Sequence, residues 1–221
     1  MEDLTLIIPA KNEKESLPIV LNELKKFNLK IIIILEKSDI QTIESIKDYD
    51  CKILYQTNKG YGDALIIGIN NVNTKYFCVF NADGSFNPNE LNNMLHEIKS
   101  KKLDLIFASR YEKNCSSEDD TIVTYLGNIL FTKLGNIFFK LNITDILYTY
   151  VMGKTQETRN LELKSKNFVF CVELPIIAKK QKLYISTSKS HERARIAGIK
   201  KVNAIRDGFL ILVGMIKLFL K

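Results

Sequence analysis

TLIIPAKNEKESLPIVLNELKKFNLKIIIIL, residues 5–35, carries two apolar, β-branched runs with a segment of different period between them. Residues 5–8 and 30–35 have the continuous apolar character of strands covered on both faces. Between them Leu17, Val20, Leu21, Leu24 and Phe27 recur at the spacing of one helix face, with Ser16 as N-cap and Pro18 in the tolerant first turn. This is a β-α-β unit. Working outward, the rhythm continues as a helix over 39–49, a strand over 52–55, a helix over 61–71, a strand over 76–80, a helix from Pro88 to 101 and a strand over 104–108. The alternation predicts an α/β fold, a mostly parallel sheet with helices on both faces. A chain of 221 residues has room for one such domain with a modified tail.

Further along, 112–120 is polar and acidic and reads as a mobile loop, 121–141 reads as an apolar helix, and 167–171 and 183–186 read as late strands. Residues 209–221 are the most hydrophobic piece. They are too short to cross a bilayer, and suit a helix lying in a membrane interface, a helix packed on the sheet, or a homodimer contact. The expected division is therefore a domain over 1–202 and an apolar C-terminal helix over 203–221.

Between residues 179 and 207 nine cations face two acids, an excess equal to the formal charge of +7 on the whole chain. So local a basic segment is either a solvated face or a surface for phosphates or acidic lipid headgroups. No helix-turn-helix, zinc-finger or RNP-like pattern accompanies it, which argues against nucleic acid. The four cysteines form no C-x-x-C pair, and the acidic start Met1-Glu2-Asp3 is unlike a secretory signal, so a cytoplasmic protein is expected. His96 and His191 have no partner spacing and read as structural or solvent-facing.

In an open parallel sheet, ligands collect beyond the carboxyl ends of the strands. Four segments fall there: Pro9-Ala10-Lys11-Asn12-Glu13, Glu36-Lys37-Ser38-Asp39, Asn58-Lys59-Gly60-Tyr61-Gly62 and Asn81-Ala82-Asp83-Gly84. Neither a G-x-x-x-x-G-K-[ST] loop nor a G-x-G-x-x-G turn is present, which excludes a P-loop NTPase and counts against a dinucleotide fold. The carboxylate of Asp83, beside an amide and free backbone groups, suits a hard divalent cation that also takes phosphate oxygens, although Asn, Asp and Gly also make ordinary turns.

The ordered set of Ile7-Ile8-Pro9-Ala10-Lys11-Asn12-Glu13, Asn58-Lys59-Gly60-Tyr61-Gly62-Asp63-Ala64 and Asn81-Ala82-Asp83-Gly84-Ser85 continues with Ser109-Arg110-Tyr111, Thr144-Asp145, Glu173-Leu174 and Arg195-x-x-Gly198-x-Lys200-Lys201. It resembles the family 2 glycosyltransferases of the GT-A nucleotide-sugar-binding fold, especially the branch with polyprenyl-phosphate (dolichol-phosphate-like) sugar transferases. The likeness runs from residue 4 to about 202. It implies that Pro9, Ala10, Asn12, Glu13, Glu36, Lys59, Gly60, Tyr61 and Asn81 shape the nucleotide-sugar pocket, and that Asp83 holds Mg²⁺ or Mn²⁺ against the diphosphate. It also implies phosphate or acceptor contacts for Arg110, Glu173, Arg195 and Lys201, and an acidic residue near the acceptor at Asp145, the first candidate for a general base, with Glu173 second.

The implied reaction is transfer of a sugar from a nucleotide donor to a lipid-phosphate or saccharide acceptor, at the inner face of a membrane. The sequence departs from the family in three places. Asn81 stands where an Asp is common, Glu36-Lys37 where a paired-Asp turn is common, and Lys200 where Ser is usual. The first two motivate an alternative, a non-catalytic relative that binds a nucleotide sugar or an anionic lipid for a partner enzyme.

Overall fold

The computed structural model describes residues 1–198 and 200–220. Its elements run β1 (Leu4–Pro9), α1 (Leu17–Leu24) closed by a short 3₁₀ turn over Lys25–Phe27, β2 (Lys30–Leu35), α2 (Ile40–Ser45), β3 (Lys52–Tyr55), α3 (Tyr61–Asn71) and β4 (Tyr76–Val79). They continue as α4 (Glu90–Ser100), β5 (Leu105–Ser109), β6 (Ser116–Ser117), α5 (Ile122–Phe139), β7 (Val151–Lys154), α6 (Thr155–Arg159), α7 (Phe170–Lys180), β8 (Ile185–Lys189), β9 (His191–Glu192) and α8 (Ala204–Phe219).

Seven strands form one sheet in the order β3-β2-β1-β4-β7-β5-β8. All neighbours are parallel except β7, which runs antiparallel between β4 and β5. The strand alternation divides the core. Leu4, Leu6, Ile8, Ile33, Leu35, Cys78 and Phe80 face α1 and α4, while Ile7, Ile32, Ile34, Phe77 and Val79 face α3, α5 and α7. Both faces are covered because the central strands β1, β2 and β4 carry buried apolar residues on either side.

Three expectations are corrected. Ser16 does not cap α1 with its side chain; its hydroxyl donates to Glu13 Oε2 at 2.7 Å. Residues 167–171 enter α7 rather than a strand. Phe170, Cys171, Val172, Leu174, Pro175, Ile176 and Ala178 are all buried, so the helix is apolar nearly all round and has no polar stripe to betray its period. Residues 112–120 are an ordered strap, because β6 pairs with β9 and the acids beyond it meet the basic segment. The C-terminal helix runs over Ala204–Phe219, inside the expected 203–221, and its inner residues Ile211, Met215 and Leu218 are buried against the domain.

Candidate active site

The sheet order reverses direction at β1, whose neighbours are β2 on one side and β4 on the other. Chain segments leaving the carboxyl ends of β1 and β4 therefore diverge and leave a crevice between them. A cleft of about 620 Å³ opens there, and Pro9, Ala10 and Glu13 from the β1 exit line it together with Asn81 and Asp83 from the β4 exit.

The Asp83 turn is built locally. Ser85 N–H donates to Asp83 Oδ1 at 3.0 Å and Asn81 Nδ2 donates to Ser85 Oγ at 3.1 Å, which leaves Asn81 Oδ1 and Asp83 Oδ2 uncommitted to the turn. The basic segment crosses directly over it. Arg193 N–H donates to the Ser85 carbonyl and Ile196 N–H to the Asp83 carbonyl, each at 2.8 Å. Gly84 is required here, since its φ is +83° and a Cβ would lie 2.4 Å from Ile196 Cδ1.

Arg195 makes a two-pronged contact with Asp119 at 3.0 and 2.8 Å and comes within 3.7 Å of Asp83. Lys200 also reaches Asp119, at 3.2 Å, and Lys201 reaches Glu13 at 3.2 Å. Burial works against ionisation of Asp119, but the bonds and charge of Arg195 prevail and hold its carboxyl below the usual range. The basic segment thus sets Arg195, Lys200 and Lys201 against Asp119 of the strap, Asp83 of the turn and Glu13 of the β1 exit around one opening.

Opposite lies a second cluster. Arg110 is 8% exposed and donates from Nε and Nη2 to the two Asp145 oxygens at 2.8 and 3.1 Å. Its Nη1 serves Glu192 at 3.0 Å and Asp120 at 3.3 Å, and its guanidinium sits 4.5 Å from the Tyr148 ring centre. Burial alone would lower the Arg110 pKa, yet the Asp145 and Glu192 charges keep it well above its ordinary value. Burial pushes the Glu192 carboxyl up, against the pull of Arg110.

Of the residues picked from sequence, Pro9, Ala10, Glu13, Glu36, Gly60, Tyr61, Asn81, Asp83, Arg110, Arg195 and Lys201 line this one cleft. Four do not. Asn12 is exposed in the left-handed region and donates its N–H to Asp39 at 2.7 Å, fixing the residue that caps α2. Lys59 points to solvent. Asp145 is fully buried; Arg110 and Asn128 occupy its oxygens, so it holds Arg110 in place and does not face the cleft as a base. Glu173 accepts from the N–H groups of Lys164 and Ser165 and fixes that loop rather than an acceptor.

That loop explains the neighbouring glycines. A Cβ on Gly60 would lie 2.2 Å from the Lys166 carbonyl and one on Gly62 2.1 Å from the Ser165 carbonyl, so both are needed for backbone packing at the cleft wall. Glu36 is held below the usual carboxylate range by its 2.8 Å bond from Lys11. Asp119, Asp120 and Glu192 line the cleft but were not singled out from sequence. Their signal was complementarity, an acidic 118–120 and a basic 193–201, which becomes informative only once β6 and β9 are known to pair.

An open mostly parallel sheet with a carboxylate-bearing turn at its switch point and a basic segment crossing above it is the frame of a GT-A glycosyltransferase. The chain belongs to glycosyl transferase family 2, whose family model matches residues 5–158. It is 26% identical over 213 residues to the UDP-N-acetylglucosamine–dolichyl-phosphate N-acetylglucosaminyltransferase of Methanococcus voltae, covering 81% of each chain. In structure it is similar to the glucosyl-3-phosphoglycerate synthase of Mycobacterium tuberculosis crystallised with Mn²⁺, UDP-glucose and phosphoglyceric acid, at a TM-score of 0.77 and 11% identity over 99% of this chain and 80% of that one. It is also similar to the mannosyl-3-phosphoglycerate synthase of Rubrobacter xylanophilus, at a TM-score of 0.70 and 13% identity over 99% of this chain and 73% of that one.

Proposed function

We propose that the chain moves a sugar from a nucleoside-diphosphate donor to a phosphate-bearing acceptor, a polyprenyl phosphate before a soluble saccharide, from the cytoplasmic face of a membrane. The observation that carries this reading is Asp83 lining one cleft with the β1 exit residues Pro9 and Ala10 and with Arg195, Lys200 and Lys201. The dolichyl-phosphate acceptor named for the archaeal relative supports the choice of acceptor.

The donor set fits Mg²⁺ or Mn²⁺. Asp83 and the Asn81 carbonyl offer hard oxygens, and among the described residues no group of three His, Cys, Asp or Glu side chains clusters to hold a metal by itself. A cation at Asp83 therefore needs the phosphate oxygens of the donor to fill its shell, the common mode for Mg²⁺. Bound there, it would neutralise charge on the departing diphosphate.

The chain supplies the remaining stabilisation. Arg195 and Lys200 exchange Asp119 for phosphate oxygens, and Lys201 exchanges Glu13, as negative charge builds on the leaving group. Because that charge is greatest in the transition state, these cations favour it over the bound donor. An acceptor phosphate is already anionic and attacks without a general base, in a single displacement that inverts the anomeric centre. The commitment of Asp145 to Arg110 suits such an acceptor. A hydroxyl acceptor would instead have to draw on Asp119, Asp120 or Glu192, which line the cleft but are each paired with a cation.

The test is to incubate the purified chain with a panel of sugar nucleotides, Mn²⁺ or Mg²⁺, and polyprenyl phosphate in detergent, and to detect glycolipid by mass spectrometry. Transfer from one donor is expected, and its loss in Asp83→Ala. A folded protein that neither transfers nor slowly hydrolyses any donor contradicts the reading.

A further inference from the structure

Helix α8 is fixed to the domain along one side only. Ile211, Met215 and Leu218 are buried, and Gly214 lets the helix close on Val169, where a Cβ would lie 2.4 Å from Val169 Cγ1. On an outward side Ile205, Phe209, Leu212, Ile216 and Phe219 recur at intervals of four, three, four and three, and are between 39% and 85% exposed. Such spacing gathers them on one stripe. Helix α5 repeats the arrangement. Asn128, Phe131, Thr132 and Gly135 face inward, while Ile122, Leu126, Leu130, Ile137 and Phe138 are each more than half exposed. The ring of Phe219 packs edge-on against Phe138 and Phe139 at 5.6 and 6.0 Å, so the two stripes join into one apolar face.

We propose that this joint face of α5 and α8 docks on an anionic phospholipid surface and seats the mouth of the cleft at the headgroups. The proposal deepens the transfer reading by saying where its acceptor arrives, although docking itself does not depend on it. Charge chooses the occupant. The cations Lys133, Lys140, Arg206 and Lys217 are all exposed on the two helices and the α5 cap, and Asp207 is the one acid there. At about 100° per residue, Lys133 falls toward one edge of the α5 stripe and Arg206 and Lys217 on one margin of the α8 stripe, while Lys140 caps the C-terminal end of α5. An apolar band edged by cations matches acyl chains edged by anionic headgroups. A second copy of the chain in two-fold contact would bring these like charges together on a self-complementary patch.

Length settles the mode. The 16 residues of α8 span about 24 Å, short of the ~30 Å hydrocarbon core, so the helix lies on the surface. The 18 residues of α5 are long and apolar enough to cross a bilayer. Its Asn128 and Thr132, however, bond inward to Asp145 and to the Ile146 N–H, which ties α5 to the domain. The two helices also border the site, since Thr124 and Asn128 on the inner side of α5 and Val202 just before α8 line the cleft.

The experiment is co-sedimentation of the full chain with vesicles of phosphatidylcholine alone or mixed with phosphatidylglycerol. Binding to the mixed vesicles, weakened by salt, is expected. Leu130→Glu combined with Ile216→Glu should lower it at least about tenfold, and Lys133→Ser or Lys217→Ser about fivefold each. Circular dichroism melts and nucleoside-diphosphate binding should be unchanged in all variants. The serine variants, which alter only solvent-facing cations, carry the test if the glutamate pair misfolds. Equal binding to neutral vesicles, no effect of the serine variants, or a concentration-dependent dimer split by the same substitutions overturns the proposal. Docking with no nucleotide bound would remove the transfer reading and leave this one standing, and nucleotide binding without docking would do the reverse.

Discussion

Arg110 keeps its charge in a nearly closed site because Asp145, Glu192 and Asp120 surround its guanidinium and the Tyr148 ring covers its face. The contact with Asp145 is two-pronged and dry, so removing the carboxylate strands a buried cation. Asp145→Ala is expected to lower stability by about 3–5 kcal/mol in urea unfolding, whereas a loss below about 1 kcal/mol, the size of a surface pair, would contradict the geometry. Asp119 differs, because its folded pKa lies below the ordinary value of 3.8. A depressed carboxyl stabilises the fold above its unfolded value and loses that contribution as pH falls through the folded one. The stability gap between the wild type and Asp119→Asn should therefore be present at neutral pH and close as pH drops below 3.8. A gap independent of pH would mean that Arg195 and Lys200 gain nothing from the charge of Asp119.

At the scale of the element, β7 is the piece that completes the sheet and the one the alternation of strands and helices did not reveal. Its four residues, Val151-Met152-Gly153-Lys154, include one β-branched side chain, and its antiparallel direction breaks the β-α rhythm from which the other strands were read. Gly153 lets it in, since a Cβ there would lie 2.5 Å from Leu105 and 2.7 Å from Phe77. Gly153→Ala should cost about 1–3 kcal/mol through overpacking, measured by thermal or urea unfolding, and a neutral effect would argue against this packing. Strands β1 to β5 and helices α1, α3 and α4 were legible because their periods differ cleanly, 2 or continuous against 3.6. Helix α7 was not, being apolar all round, and neither was the strap, whose order comes from ion pairs between segments far apart in sequence. The same limit governs the site. Residues at strand exits were found by position, while Asp119, Asp120 and Glu192 required the fold to bring them in, and Asp145 and Glu173 turned inward to serve other residues.

Over the whole molecule, the basic excess of the sequence proves to be organised rather than diffuse. Arg193 pairs with Glu23, Arg195 and Lys200 with Asp119, and Lys201 with Glu13, which pins the 193–201 segment across the exits of β1 and β4. A diphosphate entering the cleft meets cations already gathered, and competes with carboxylates for them. The account stands on Asp83 serving as the cation-bearing group of that cleft. The most direct measurement is calorimetric titration of UDP, GDP, ADP and CDP into the wild type and Asp83→Ala, each with Mn²⁺ and with chelator. One nucleotide should bind the wild type with Mn²⁺ and bind at least about tenfold more weakly after either metal removal or the substitution, a loss of 1.4 kcal/mol or more. Equal affinity in all of these conditions would contradict it.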